Sequence, residues 1–229
     1  MAVMKYILSK LEPEFVPTSE MFGLTDVGAR AELIDVMKKA GVKNACFFYP
    51  EHAERQKDAK LVTKTMEMAA DFADAGFDLT LAGVEDVKKL HTLEMFKRVN
   101  GIKNNKPVED KCRREGVQYV PTVSNQAEID SRSHWGTKLV KAYPWVRQDG
   151  TGMHEKVEDY KGDMKFGIAG GVKPIENTDA DLWTLNMDVV TAAALPQVSL
   201  ITATQPTKLL VGDEPLRGLE TYLDMLKEF

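Results

Sequence analysis

The stretch CRREGVQYVPTV, residues 112–123, changes character at its glycine. Before Gly116 the residues suit the last turn of a helix, and after it Val117, Tyr119, Val120 and Val123 suit a strand, with the glycine free to take the left-handed conformation that ends a helix. The same unit recurs in MKKAGVKNACFF (37–48), FADAGFDLTLA (72–82) and SHWGTKLVKAY (133–143). Repeated helix, glycine and strand imply parallel strands joined by crossover helices.

Working outward, eight strand candidates emerge: Phe15–Thr18, Lys43–Phe48, Leu79–Ala82, Phe96–Val99, Gln118–Pro121, Lys138–Tyr143, Lys165–Ala169 and Val189–Ala193. Eight strands in a chain of 229 residues predict an α/β fold of the (β/α)8 TIM-barrel type, one domain over residues 1–229. A doubly wound open sheet is the alternative, but the first strand–helix turn carries no GxGxxG. The first helix is expected to bury Val27, Ala31, Ile34 and Met37, spaced three or four apart. The closing GDEPLRGLETYLDMLKEF, residues 212–229, predicts a C-terminal helix with Leu216, Leu219, Tyr222, Leu223 and Leu226 on one face. PEHAERQKDAKLVTK, residues 50–64, reads as a solvated loop and helix start.

Composition narrows the function. The net charge of -5 gives no electrostatic footprint for nucleic acid or an anionic membrane. No apolar run reaches the ~18 residues of a membrane span, and the amino terminus is too charged for a secretory signal, so a cytoplasmic protein is expected. Cys46 and Cys112 lack CxxC spacing, and His52, His91, His134 and His154 share no ligand spacing, so neither a metal nor another cofactor is expected.

In a barrel, chemistry belongs at the carboxyl ends of the strands. Lys141, Cys46, Asn100, Thr122, Ala169–Gly171 and Ala192–Ala194 occupy such positions. Lys141 stands in KLVKAYPW, residues 138–145, a strand otherwise apolar. Burial disfavours an ammonium, and a neutral amine at the barrel mouth can attack a ketone to form a Schiff base, whose protonated imine is an electron sink. A lysine extending its head to the rim is the structural alternative. Gly170 and Gly171 in FGIAGGVKPIEN, residues 166–177, suit either a phosphate-binding turn leading into a Pro-containing helix start or a tight turn alone.

Taken together, DKCRREGVQYVPTVSNQAEI, GTKLVKAYPW and FGIAGGVKPIEN resemble in order and interval the 2-keto-3-deoxy-6-phosphogluconate (KDPG) and 4-hydroxy-2-oxoglutarate (KHG) aldolases. In that family a Cys-x-x-x-Gly helix end leads to a Pro-Gly-Val strand end, a Lys-Phe-Phe-Pro strand and a Thr-Gly-Gly phosphate turn. The resemblance covers about Phe96 to Ala194 best. It implies a homotrimeric (β/α)8 class I aldolase that splits or joins pyruvate and an aldehyde, with Lys141 as the Schiff-base lysine. It also implies substrate contacts from Tyr143, Pro144, Thr122, Gly170, Gly171 and Cys46.

Departures from the family are specific. Cys46 falls where its proton-transferring glutamate stands, Phe48 and Pro50 replace its threonine and arginine, and Ala169 replaces the turn threonine. Residues 192–194 read Ala-Ala-Ala where the family's last strand ends in Gly-Gly-Ser, and no arginine follows the first strand. An acid/base from Tyr49, Glu51 or His52 is one substitute. A catalytically impaired barrel that binds a 2-oxo acid or another small anion is the alternative function, and a sugar-phosphate isomerase with Lys141 as an electrostatic contact is a third.

Overall fold

In a computed structural model the described residues are 12–15, 27–39, 43–48, 59–84, 86–90, 93–101, 105–147, 149–170, 175–179, 182–185, 192 and 194–203. Strand β1 (Glu12–Phe15) is followed by α1 (Val27–Lys39), β2 (Asn44–Phe48), α2 (Ala59–Asp74), β3 (Asp78–Val84) and β4 (Phe96–Gly101). Then come α3 (Lys106–Arg114), β5 (Gln118–Val123), α4 (Gln126–His134), β6 (Leu139–Ala142), α5 (His154–Glu158) and β7 (Lys165–Ala169). A hairpin of β8 (Ile175–Asp179) and β9 (Leu182–Leu185) precedes β10 (Val198–Ala203).

All neighbours in the main sheet are parallel, and the sheet curls in the order β1-β10-β7-β6-β5-β4-β3-β2. Because β1 pairs with β10 on one side and β2 on the other, the order of pairing closes on itself. The architecture is thus α/β with a curled parallel sheet of the TIM-barrel kind.

The glycine stops act as the sequence predicts. Gly76, Gly116 and Gly136 have positive φ of 89°, 72° and 70°. In each case the next residue's N–H reaches back five residues to a helix carbonyl: Phe77 to Phe72 at 3.1 Å, Val117 to Cys112 at 2.9 Å and Thr137 to Arg132 at 3.0 Å. This is the Schellman pattern, and at the first of them the rings of Phe72 and Phe77 also meet, 5.0 Å apart. Each helix end is thereby turned straight into the following strand.

The outer face of the sheet is apolar and packs as two clusters. Ala45, Phe47, Leu79, Leu81 and Val99 pack with Leu33 and Met37 of α1 and with Met68, Ala69 and Phe72 of α2. A second cluster joins Val123, Val140, Ala142, Phe166 and Ile168 to Trp145, Met153 and Val157. Helix α1 buries Leu33 and Met37, whereas Ala31 is exposed and Ile34 half-buried, so its apolar face is rotated from the expected one toward the larger side chain.

Three sequence expectations are corrected. The closing strand is Val198–Ala203, not Val189–Ala193: Ala192 and Ala194 are helical, and a turn through Leu195 and Val198 follows. The Ala-Ala-Ala run is therefore not a strand end. VVTAA and VSLITA each carry three β-branched residues, so propensity does not separate them, and the parallel pairing of VSLITA with β7 and β1 does. The expected helix start near Thr178 and Asp179 is instead the antiparallel hairpin β8–β9. The first strand, Glu12–Phe15, shares only Phe15 with the predicted span. The C-terminal helix, Tyr49, Glu51, His52 and Gly171 lie outside the described residues.

Candidate active site

Alternation along each strand separates the outer wall from the interior. In β4, Val99 belongs to the outer apolar cluster, so its neighbours Arg98 and Asn100 face inward; both are buried. In β2 and β3, Cys46 and Ala82 form a small cluster separate from the outer one, and Thr80 lies between outward Leu79 and Leu81. In β6, Val140 and Ala142 face outward, which leaves Lys141 inside.

Lys141 is 8% exposed, and it has no hydrogen bond or ion pair with another described residue. Its register partners are Thr122 on β5 and Gly167 on β7. Gly167 leaves the space beside it empty of any side chain of its own; a Cβ there would meet Leu200 Cδ2 at 3.2 Å. The missing side chain thus lets Leu200 of β10 close on the β7 backbone beside Lys141.

Strand register also aligns Lys141 with residues far away in sequence. In an eight-stranded barrel with a shear of about 8, positions at equal height advance about one residue per strand relative to the paired register. Phe47 pairs with Leu81, Ala82 with Asn100 and Thr122 with Lys141. Advancing from strand to strand therefore puts Cys46, Asn100 and Lys141, from β2, β4 and β6, in one layer. With Ala142 opposite Ile168 and Ala169 opposite Thr202, the fourth position of that layer falls to Thr202. Alternate strands contribute to one layer in such barrels.

Beneath this layer, the Arg98 guanidinium donates to Asn44 Oδ1 at 2.8 Å, both residues buried. A guanidinium on the inner face of the curled sheet thus comes from β4, at a position that no motif marked. At the layer's own level, both polar atoms of the Asn100 carboxamide are buried with no hydrogen-bond partner among the described residues, and the same holds of Thr80 Oγ1 just below it on β3. Polar residues at alternate positions of β4, Arg98 and Asn100, are the signal for such an interior, legible only once the outer face is known.

The remaining candidates lie nearer the strand exits. The Thr122 hydroxyl donates to the Gly101 carbonyl, joining β5 to the end of β4. The N–H of Trp145 donates to the carbonyls of Ala169 (2.8 Å) and Gly170 (3.0 Å), so the segment after β6 is strapped to the end of β7. Gly170 has φ 76°, and a Cβ on it would meet Tyr143 Cε2 at 2.5 Å. Tyr143 is 51% exposed, its ring against Gly170, and Pro144 is half-buried. Cys46 is fully buried.

Lys141, Thr122, Asn100 and Cys46 thus face one interior, with Tyr143, Pro144 and Gly170 grouped at its β6–β7 rim. A groove of about 860 Å³ lined by Glu109, Arg113, Tyr119, Trp135 and Lys138 lies at the opposite, amino-terminal end of β5 and β6. Among the described residues no group of three or more His, Cys, Asp or Glu side chains could hold a metal, and no helix is long and apolar enough to cross a membrane.

No protein-family model and no curated protein matches the sequence. Solved structures do match in fold. A 4-hydroxy-2-oxoglutarate/2-dehydro-3-deoxyphosphogluconate aldolase superposes with a TM-score of 0.70 at 18% identity, over 100% of this chain and 98% of that one. The 2-keto-3-deoxy-6-phosphogluconate aldolase of Zymomonas mobilis gives 0.65 at 10% identity, over 99% and 97%. The KDPG aldolase of Legionella pneumophila, solved with pyruvate captured as a covalent carbinolamine intermediate, gives 0.62 at 12% identity, over 96% and 95%. The resemblance to KDPG and KHG aldolases read from the motifs therefore extends to the fold along the whole chain.

Proposed function

We propose that the protein is a class I aldolase that cleaves or forms a 2-keto-3-deoxy sugar acid or a 4-hydroxy-2-oxo acid, with pyruvate and an aldehyde as the other side of the reaction. The observation that carries this reading is Lys141: an amine nearly buried inside a curled parallel sheet, without an ion-pair partner among the described residues. The amine adds to the C2 carbonyl to give a carbinolamine, which loses water to the protonated imine. Removal of the proton from the C4 hydroxyl then breaks the C3–C4 bond. The bonding electrons pass into the imine as an enamine and the aldehyde departs. Protonation at C3 and hydrolysis release pyruvate and restore the lysine.

The family resemblance supports a homotrimer, a complete (β/α)8 barrel and a cytoplasmic setting, and the chemistry needs no metal or organic cofactor. In this reading Tyr143, Pro144 and Gly170 border the entrance, Gly171 follows in the Gly-Gly motif that the family resemblance assigns to the substrate, and Thr122 shapes the wall beside Lys141. Cys46 occupies the place of the family's glutamate, and its full burial suits a space-filling contact to the substrate better than a proton carrier. A positioned acid or base typically contributes ~100- to 10,000-fold, so slow proton transfer is expected.

Exchange of the methyl protons of pyruvate in deuterated water tests the reading, because only the imine–enamine interconversion makes that methyl group acidic. NMR should show protein-dependent loss of the methyl signal, at a low rate. A folded sample that leaves the signal unchanged while trapping pyruvate covalently favours the impaired barrel; one that does neither contradicts the proposal.

A further inference from the structure

We infer that Asn100 is the residue that selects hydroxylated aldehydes, its carboxamide reading adjacent hydroxyl groups on the carbon chain held at Lys141. The inference rests on the imine reading of Lys141. Its own ground is Asn100, 3% exposed, whose Oδ1 and Nδ2 are both buried without a partner among the described residues. A buried polar group left unsatisfied costs stability, so a carboxamide with both ends unmet is a standing cost to the fold.

Placement turns that cost toward a ligand. Asn100 faces the interior, since Val99 packs outward, and strand register sets it in the same layer as Lys141, two strands away across β5. Two strand spacings are ~10 Å of sheet, a span that one small molecule can bridge from the Lys141 amine to the Asn100 carboxamide. Ala82 and Val120, the register partners of Asn100, bring no hydrogen-bonding side-chain group.

The chemistry of the occupant follows from the donor and acceptor count. A carboxylate offers acceptors only and would satisfy Nδ2 while leaving Oδ1 unmet; an alkyl chain satisfies neither. Two adjacent hydroxyls satisfy both, one accepting from Nδ2 and the other donating to Oδ1. A site built to hydrogen-bond a hydroxyl discriminates strongly against the analogue without it, because the site's own groups are then left unpaired.

The test compares wild type with Asn100→Leu, and with Asn100→Ala should the leucine variant fail to fold. Aldol addition of pyruvate to glyceraldehyde and to propanal, which lacks hydroxyls, is measured beside borohydride trapping of pyruvate. The substitution should lower kcat/KM for glyceraldehyde roughly tenfold or more relative to that for propanal, with pyruvate still trapped on the variant. The ligand-free leucine variant should also melt above wild type. Equal effects on the two aldehydes, no effect on either, or no addition of either aldehyde by a wild type that traps pyruvate would overturn the inference alone. A wild type that fails to trap pyruvate would remove the imine reading and this inference with it.

Discussion

Val99 and Asn100 are consecutive in β4 and almost equally buried, 0% and 3% exposed, yet they belong to different environments. Val99 joins an apolar layer under α1 and α2, while among the described residues nothing satisfies either amide atom of Asn100. The outer face holds the sheet together by burying hydrocarbon. The inner face carries Asn44, Thr80, Arg98, Asn100 and Lys141 in the same dry surroundings, where polar groups cost stability unless something meets them. Stability and chemistry are thus divided between two sides of one layer of backbone.

That division can be broken from the outside first. Phe72 of α2 is fully buried, its ring 5.5 Å from Phe47 of β2 and 5.0 Å from Phe77. Phe72→Ala should cost about 3–5 kcal/mol, through lost burial and the cavity left behind. Chemical denaturation measures it; a loss below ~1 kcal/mol would mean that α2 does not anchor the wall.

At the rim the effect is smaller and falls partly on function. Gly170→Ala meets both a positive φ and the Tyr143 ring, and the left-handed conformation alone costs about 1–2 kcal/mol for a residue with a Cβ. Because Trp145 hydrogen-bonds the carbonyl of Gly170, the variant should also loosen the segment after Lys141, seen as faster amide exchange at Trp145 and slower pyruvate trapping. Unchanged exchange and trapping would detach the rim from the site.

The smallest effect is in the outer wall's response to pH. Burial pushes the Cys112 thiol up from 9.0 to about 11. Its folded value lies above its unfolded one, so its contribution to stability is fully present below pH 9 and is lost as pH rises toward 11. The stability difference between wild type and Cys112→Ala should therefore shrink across that interval in denaturation titrations. A constant difference would mean that the thiol is not held protonated by the fold.

The outer face was legible in the sequence because its signals are local. The stops at Gly76, Gly116 and Gly136 each follow one helix and precede one strand, and their bonds span five residues. The interior was not legible in the same way. Asn44 and Arg98 meet across 54 residues, and Cys46, Asn100 and Lys141 share a layer only through the register of five successive strands. Asn100 could be picked out as the end of a strand, but its unmet carboxamide follows from the packing around it. The closing strand was misplaced because VVTAAAL and VSLITA both look extended in isolation, and only pairing with β7 and β1 decides between them.

Lys141 sits at the centre of the comparison, a charged residue type on the inner face of a strand whose outer face is wholly apolar. Borohydride reduction in the presence of pyruvate, followed by peptide mass spectrometry, addresses it directly. The account predicts a reduced pyruvate adduct on the peptide containing Lys141, absent from Lys141→Met. Folded wild-type protein that carries no adduct, or carries it on another lysine, would contradict it.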